Sequence, residues 1–271
     1  GVQYAVWVLV IEAVLSEYRP LPAASLGTVE AVRAAETILP ATKELREITS
    51  PVPDSAPDAP LIEAQDISFG YHASVPILNG LSFTIQRGQH TAIIGESGAG
   101  KTTLASLLLR LWEVDGGMLS YRGAKHTELS PTATRALFGA ALQGSYLFNT
   151  SIRDNFLRLH EGITEERMWE ALETAQLADV VRALPAGLDE ELGANAARLS
   201  GGQRSRLLTA LALASNAPIL LLDEPTAGLD AERGERLIAA VLAELDARGG
   251  TLIVITHDLP LLDRMKQVIE L

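Results

Sequence analysis

The chain contains no cysteine. Disulfides, thiolate metal sites and cysteine nucleophiles are thereby excluded. It also lacks a basic excess. With 22 Lys and Arg against 34 Asp and Glu, the formal net charge is -12. A general nucleic-acid binder is not expected, because phosphate backbones are gripped by surplus cationic side chains. Any phosphate ligand must then be held by local geometry. No apolar run reaches the roughly 20 residues that a membrane-spanning helix needs. The longest candidate, GVQYAVWVLVIEAVL from Gly1 to Leu15, is short and carries Glu12. A secretory leader wants a basic start and a small-residue cleavage site, and Gly1–Val10 holds no Lys or Arg. Internal repeats and low-complexity segments are also missing.

Apolar residues are plentiful at 47%, and the mean hydropathy of +0.17 leaves enough to bury a core. After Pro20 and Pro22, apolar residues recur at Leu26, Val29, Val32, Ala35, Ile38 and Leu39, with Glu30, Arg33, Glu36 and Lys43 off the stripe. That spacing is helical. PVPDSAPDAP, residues 51–60, holds four prolines and reads as a semi-stiff linker. The chain thus divides into residues 1–50, the linker 51–60, and a domain over 61–271. In the domain, ISFGY, SFTIQ and TAIIG are expected strands, while Thr102–Leu111, Ala171–Leu177 and Arg233–Leu245 are expected helices. ILLLD and TLIVIT are continuously apolar, as strands covered on both faces are. Strands alternating with helices predict an α/β domain around a largely parallel sheet.

Three motifs carry chemistry. GESGAGKT comprises Gly95, Glu96, Ser97, Gly98, Ala99, Gly100, Lys101 and Thr102, with Thr103 next; it follows the strand TAII and opens a helix. Its glycines let backbone N–H groups turn inward around phosphates. Lys101 is suited to the β- and γ-phosphates and Thr102 to Mg²⁺. A ligand-free glycine turn is the plainer reading, and Lys-Thr in this context disfavours it. ILLLDEP ends an apolar strand with Asp223, a carboxylate suited to Mg²⁺, followed by Glu224, suited to polarise water as a general base. Alone, such a pair is more often a solvated turn. RLSGGQRSR contains Leu199, Ser200, Gly201, Gly202 and Gln203. Ser200 fits an ordinary helix N-cap, but two glycines in a first turn weaken a helix and call for another reason.

LSGGQ resembles the signature of ATP-binding cassette (ABC) proteins, and over Leu61–Leu271 the other motifs stand in family order. The resemblance implies a P-loop NTPase cassette, with a mostly parallel sheet core plus a helical subdomain. It implies ATP and Mg²⁺ as ligands, Glu224, His257 and Gln143 as catalytic residues, and Thr102, Gln143 and Asp223 around the metal. It makes Tyr71 the aromatic that stacks on adenine, although a lone Tyr there is more often a half-buried strand residue. Gln143 and His257, taken singly, are an ordinary surface polar and a satisfied structural histidine. The signature, Leu199–Gln203, is implied to close the ATP site of a partner cassette in a head-to-tail dimer. Asp230, in AGLD, is implied to lie in the loop that communicates across that dimer.

GSYLFNTSIRDN after Gln143 is similar to the exporter pattern, in a segment that faces the membrane domain. The opening run then looks like the cut end of a last membrane helix with its cytoplasmic extension. On this resemblance the chain is a fragment of a half-transporter in the cell (inner) membrane, with the cassette on the cytoplasmic side and the lipid bilayer met through a membrane domain outside this sequence. A helix of a soluble N-terminal extension is the alternative. The phrases VIEAVLSEYRPLPAA, LFNTSIRDN and DEPTAGLDAE look closest to CydC-type subunits of heterodimeric thiol exporters linked to cytochrome bd assembly. That implies a second half-transporter subunit as partner, a heterodimer ahead of a homodimer, and cysteine or glutathione as cargo. Lipid, peptide and drug exporters share every catalytic motif, and non-transport ABC ATPases share most. Ala194 stands where exporters usually carry Glu, and Leu211 replaces a usual Arg. The chain ends at Leu271, short of the strand and turn that commonly follow.

Overall fold

The computed structural model describes residues 59–71, 75–193 and 196–271. The N-terminal stretch before the linker, nearly all of the linker itself, and Ala194 lie outside the described residues. Among the described residues no helix is long and apolar enough to cross a membrane.

The centre is a five-stranded sheet in the order β6–β7–β8–β3–β9. Its members are β3 (Thr91–Ile94), β6 (Phe138–Ala141), β7 (Ile219–Asp223), β8 (Thr251–Ile255) and β9 (Gln267–Glu270). Every pairing within it is parallel. Along β7, Leu220 and Leu222 enter one hydrophobic core while Ile219 and Leu221 enter a second on the other face. β8 divides likewise, Leu252 and Val254 against Ile253 and Ile255. Strand side chains alternate in direction, so a strand buried on both faces must be apolar throughout. This accounts for ILLLD and TLIVIT.

The expected strands ISFGY and SFTIQ do not join that sheet. They belong to β1 (Ile62–Phe69) and β2 (Leu78–Ile85), which pair antiparallel. β4 (Gly116–Tyr121) and β5 (Ala124–Lys125) extend the pair into a separate antiparallel sheet, β2–β1–β4–β5. The discontinuous burial along β1 and β2 marks strands with a wet face. One core lies between this sheet and the parallel one.

Eight helices are described: α1 (Lys101–Leu108), α2 (Pro131–Arg135), α3 (Ile152–Leu159), α4 (Glu165–Thr174), α5 (Ala178–Arg182), α6 (Gly201–Ala214), α7 (Ala231–Arg248) and α8 (Leu259–Leu262). Helices α3 to α6 form the helical subdomain, packing Phe156, Leu172, Val181 and Leu207 into the core that includes Leu220 and Leu222. Two expected helix boundaries shift. α1 ends at Leu108 rather than Leu111, because Arg110 turns left-handed at φ 50°. α4 starts at Glu165, capped by the Thr164 side chain, and is closed by Gln176 at φ 54°, so Ala171–Leu177 covers only its tail.

Candidate functional site

β3 leads directly into the loop 95–100 and α1. Gly100, the residue before the helix, has φ 104°. A Cβ there would sit 2.9 Å from Ile77 Cγ2 and 3.0 Å from Leu78 Cδ2, so both conformation and space demand glycine. No side chain caps α1, which leaves its first N–H groups free for an anion. Lys101 Nζ donates to Gly95 O and Glu96 O, each at 2.8 Å. The ammonium is thus held across the mouth of the loop rather than extended into solvent.

The carboxylates arrive from the next strands. Asp223 ends β7, and its Oδ2 accepts from the Gln143 backbone N–H at 3.3 Å. Glu224 follows in the left-handed region at φ 49°, its N–H donating to Ile255 O at 2.9 Å. A non-glycine residue held there costs on the order of 1–3 kcal/mol and persists only where its surroundings enforce it. His257, just beyond β8, brings Nε2 to 3.5 Å from Glu224 Oε1. Burial pushes the Asp223 carboxyl above its usual range, opposed by the Gln143 N–H, Lys101 and His257. Burial also pushes Glu224 up; His257 pulls it down and the Asp223 charge pushes it up again. A raised carboxyl beside an imidazole suits proton acceptance from a weakly acidic donor.

These elements enclose a cavity of about 450 Å³ lined by Ser97, Gly98, Gly100, Lys101, Thr102, Thr103, Gln143, Asp223, Glu224 and His257, with Ile77 at its side. Ten expected residues therefore meet in one place. Gly95, Glu96 and Ala99 form the loop without lining the cavity. Tyr71 does not line the cavity; it lies in a bend beyond β1, its hydroxyl 3.4 Å from Thr103 Oγ1, a cavity-lining residue. It is 47% exposed, with its ring in edge contact with Phe69 and Trp112. Sequence reasoning does not single out Ile77 or Trp112; a tryptophan just beyond the end of α1 is the available signal for the second.

The signature lies elsewhere in this chain. None of Leu199, Ser200, Gly201, Gly202 or Gln203 lines the phosphate-loop cavity. Ser200 and Gln203 form a reciprocal cap on α6, Gln203 N–H to Ser200 Oγ at 3.3 Å and Ser200 N–H to Gln203 Oε1 at 2.8 Å. Gly202 has a local reason: a Cβ would lie 3.1 Å from both Gly228 O and Leu229 Cδ2. Gly201 has none, since its Cβ would meet nothing within 4 Å. A second cavity of about 510 Å³, behind Gln143, Asp223 and Glu224, reaches Gly201, Arg204 and Ser205. Asp230 caps α7 through Arg233 N–H at 2.9 Å.

After Gln143, Asn155 fixes the loop. Its Oδ1 accepts from Phe148 N–H at 2.9 Å, and its Nδ2 donates to Phe148 O, Thr150 Oγ1 and Ser151 O. Tyr146 and Phe148 remain exposed in edge contact with each other. Leu211, in place of the usual Arg, is buried, and its carbonyl accepts from His160 Nε2 at 2.7 Å. The substitution fills core rather than leaving a vacant charge position.

A Mg²⁺ site fits this donor set. Mg²⁺ favours one or two protein oxygens together with phosphate and water over an all-protein cage. Thr102 and Asp223 both line the cavity and supply such oxygens, and among the described residues no cluster of three or more His, Asp or Glu could hold a metal alone.

Known proteins resemble this chain. Residues 78–227 match the family model described as ABC transporter. The ATP-dependent lipid A-core flippase of Saccharophagus degradans is 39% identical over 208 residues, 77% of this chain and 35% of that protein. The mycobactin import ATP-binding/permease protein IrtB of Mycolicibacterium smegmatis is 35% identical over 249 residues, 90% of this chain and 41% of that protein. A solved bacterial Atm1-family ABC exporter with ATP bound superposes with TM-score 0.78 at 30% identity, covering 91% of this chain and 42% of that one. The chain thus spans between a third and a half of the length of these relatives. It belongs to the ABC transporter family, as an ATP-binding cassette of the kind that hydrolyses ATP in that family.

Proposed function

We propose that this chain is the ATP-hydrolysing cassette of a membrane half-transporter, joined through residues 51–60 to the end of a membrane domain within residues 1–50. The observation that carries the reading is the convergence of Lys101, Thr102, Asp223, Glu224, Gln143 and His257 on one cavity. The domain division draws support from the permease-bearing relative, whose match covers more of the chain than residues 61–271 contain. Location follows from it: the cell (inner) membrane, with the cassette on the cytoplasmic side.

In this reading the loop N–H groups and Lys101 bind the β- and γ-phosphates, and Tyr71 stacks on adenine. Mg²⁺, held by Thr102, Asp223 and Gln143, would neutralise charge developing on the phosphates. Glu224 accepts a proton from the attacking water as the water oxygen bonds to the γ-phosphorus and the bond to ADP breaks. His257 orients Glu224 and lies toward the γ-phosphate, adding fixed electrostatic stabilisation. Ser200 and Gly201 complete the site of a partner cassette, Asp230 lies at that interface, and two bound ATP molecules hold the pair together. A heterodimer is favoured over a homodimer by the similarity of VIEAVLSEYRPLPAA and DEPTAGLDAE to CydC-type subunits, which also suggests cysteine or glutathione as cargo. The relatives named as lipid A-core flippases favour a second reading, lipid export by the same ATPase. The test is ATPase activity of the full-length protein in vesicles, with glutathione against lipid A added. Stimulation by glutathione alone supports the thiol reading; stimulation by lipid A alone replaces it; an ATPase indifferent to vesicles would favour a non-transport ABC protein.

A further inference from the structure

Trp112 is not among the residues lining the cavity, yet it is 53% exposed, an uncommon state for a tryptophan without a task. Its position is fixed from several sides. Arg110 turns the chain at φ 50°, donates to Glu113 Oε1 at 2.6 Å and to Leu129 O, and the Leu111 N–H donates to Ser106 O at 2.9 Å. The turn that follows α1 is therefore tied to α1 itself. From this turn the Trp112 ring meets the Tyr71 ring at 5.5 Å and 84°, an edge-to-face pair, and leans on Phe69 at 6.2 Å. Phe69 meets Tyr71 in the same manner at 5.1 Å and 86°. The Tyr71 hydroxyl has only a long 3.4 Å contact to Thr103, too weak to hold the ring by itself. The ring's attitude is thus set by Phe69 from the sheet and Trp112 from the end of α1.

The geometry points to Trp112 as a positioning residue for nucleobase binding, holding the Tyr71 ring in a stacking attitude. Helix α1 then does two jobs: its first turn carries the phosphate loop and the turn beyond its last residue braces the base platform. The two ends of a nucleotide are registered to one rigid element. This inference rests on the assignment of Tyr71 to the base. Edge-to-face aromatic pairs contribute modestly beyond area burial, so loss of the brace should weaken ATP binding roughly 2- to 10-fold.

The test is calorimetric titration of the 271-residue chain with ATP and with inorganic tripolyphosphate, which has no base. Trp112→Ala should weaken ATP by that factor and leave tripolyphosphate unchanged. Trp112→Leu, which keeps apolar cover and thereby guards against misfolding, should behave as Trp112→Ala, and Trp112→Phe should restore ATP affinity. In a Tyr71→Ala background the Trp112 substitutions should have no further effect. Equal losses for ATP and tripolyphosphate, or additive losses with Tyr71→Ala, would overturn the brace. A Tyr71→Ala chain that binds ATP as well as the parent would instead overturn the base assignment beneath it.

Discussion

His257 Nε2 lies 3.5 Å from Glu224 Oε1, a juxtaposition made by the ends of neighbouring parallel strands β7 and β8. Two residues 33 positions apart in the sequence meet because parallel strands deliver their C-terminal ends to one edge of the sheet. The same edge receives Lys101 from the first turn of α1, and chemistry collects where the topology leaves an open crevice.

Glu224 should report its burial thermodynamically. Its carboxyl is raised in the folded state, so the ionised form is the disfavoured one there. Stability from this group is present below the ordinary glutamate range and is lost as pH rises through the raised value. Glu224→Gln, neutral at every pH, should melt higher than the parent at about pH 7 to 8 without nucleotide. The difference should shrink toward zero as pH falls below the ordinary carboxylate range. A lower melt for the Gln chain at neutral pH would contradict this sign.

Lys101→Ala removes a cation held on Gly95 O and Glu96 O. Loss of a charge-assisted contact should cost about 1.5–3 kcal/mol of nucleotide affinity. Direct titration with ATP checks it, and an unchanged affinity would show that the loop is not the phosphate cradle.

The two signature glycines should separate. Gly202→Ala drives a Cβ toward Gly228 O and Leu229, and crowding of this kind costs about 1–3 kcal/mol of stability. Gly201→Ala meets open space and improves helix propensity, a gain of at most about 1 kcal/mol. If Gly201 faces a partner's nucleotide, that stabilised chain should nonetheless lose steady-state ATPase activity in the full-length protein. Thermal melts and phosphate release on both variants decide. A Gly201→Ala protein with parental turnover would remove the partner-site role.

Asn155→Ala strips the loop after Gln143 of the bonds that Nδ2 donates and the one that Oδ1 accepts. Leaving Phe148 N–H unpaired should destabilise the chain by about 1–3 kcal/mol in denaturant unfolding. A shift within error would mean that the loop holds its shape without Asn155.

Much of the site was legible because its chemistry is local in sequence. Gly95–Thr102 and Asp223–Glu224 are contiguous groups whose strand context could be read from TAII and ILLLD. What escaped the sequence depends on pairing at a distance. Trp112 acquires its place only by meeting Tyr71, 41 positions away, and Gly202 acquires its packing reason only against Gly228. The antiparallel sheet was hidden for a similar reason: β1 and β4 are neighbours though β3 and α1 separate them in sequence. α4 is only partly legible in the sequence because only Met168, Ala171 and Leu172 of it are buried, too thin a stripe, although Thr164 followed by Glu165 and Glu166 announces a helix start.

The most direct measurement takes parent and Glu224→Gln full-length protein at saturating ATP and Mg²⁺, recording bound nucleotide and released phosphate on the same samples. The account predicts equal ATP binding with phosphate release reduced about 10²-fold or more in the Gln protein. Phosphate release near the parental rate would contradict it and remove Glu224 as the base of this site.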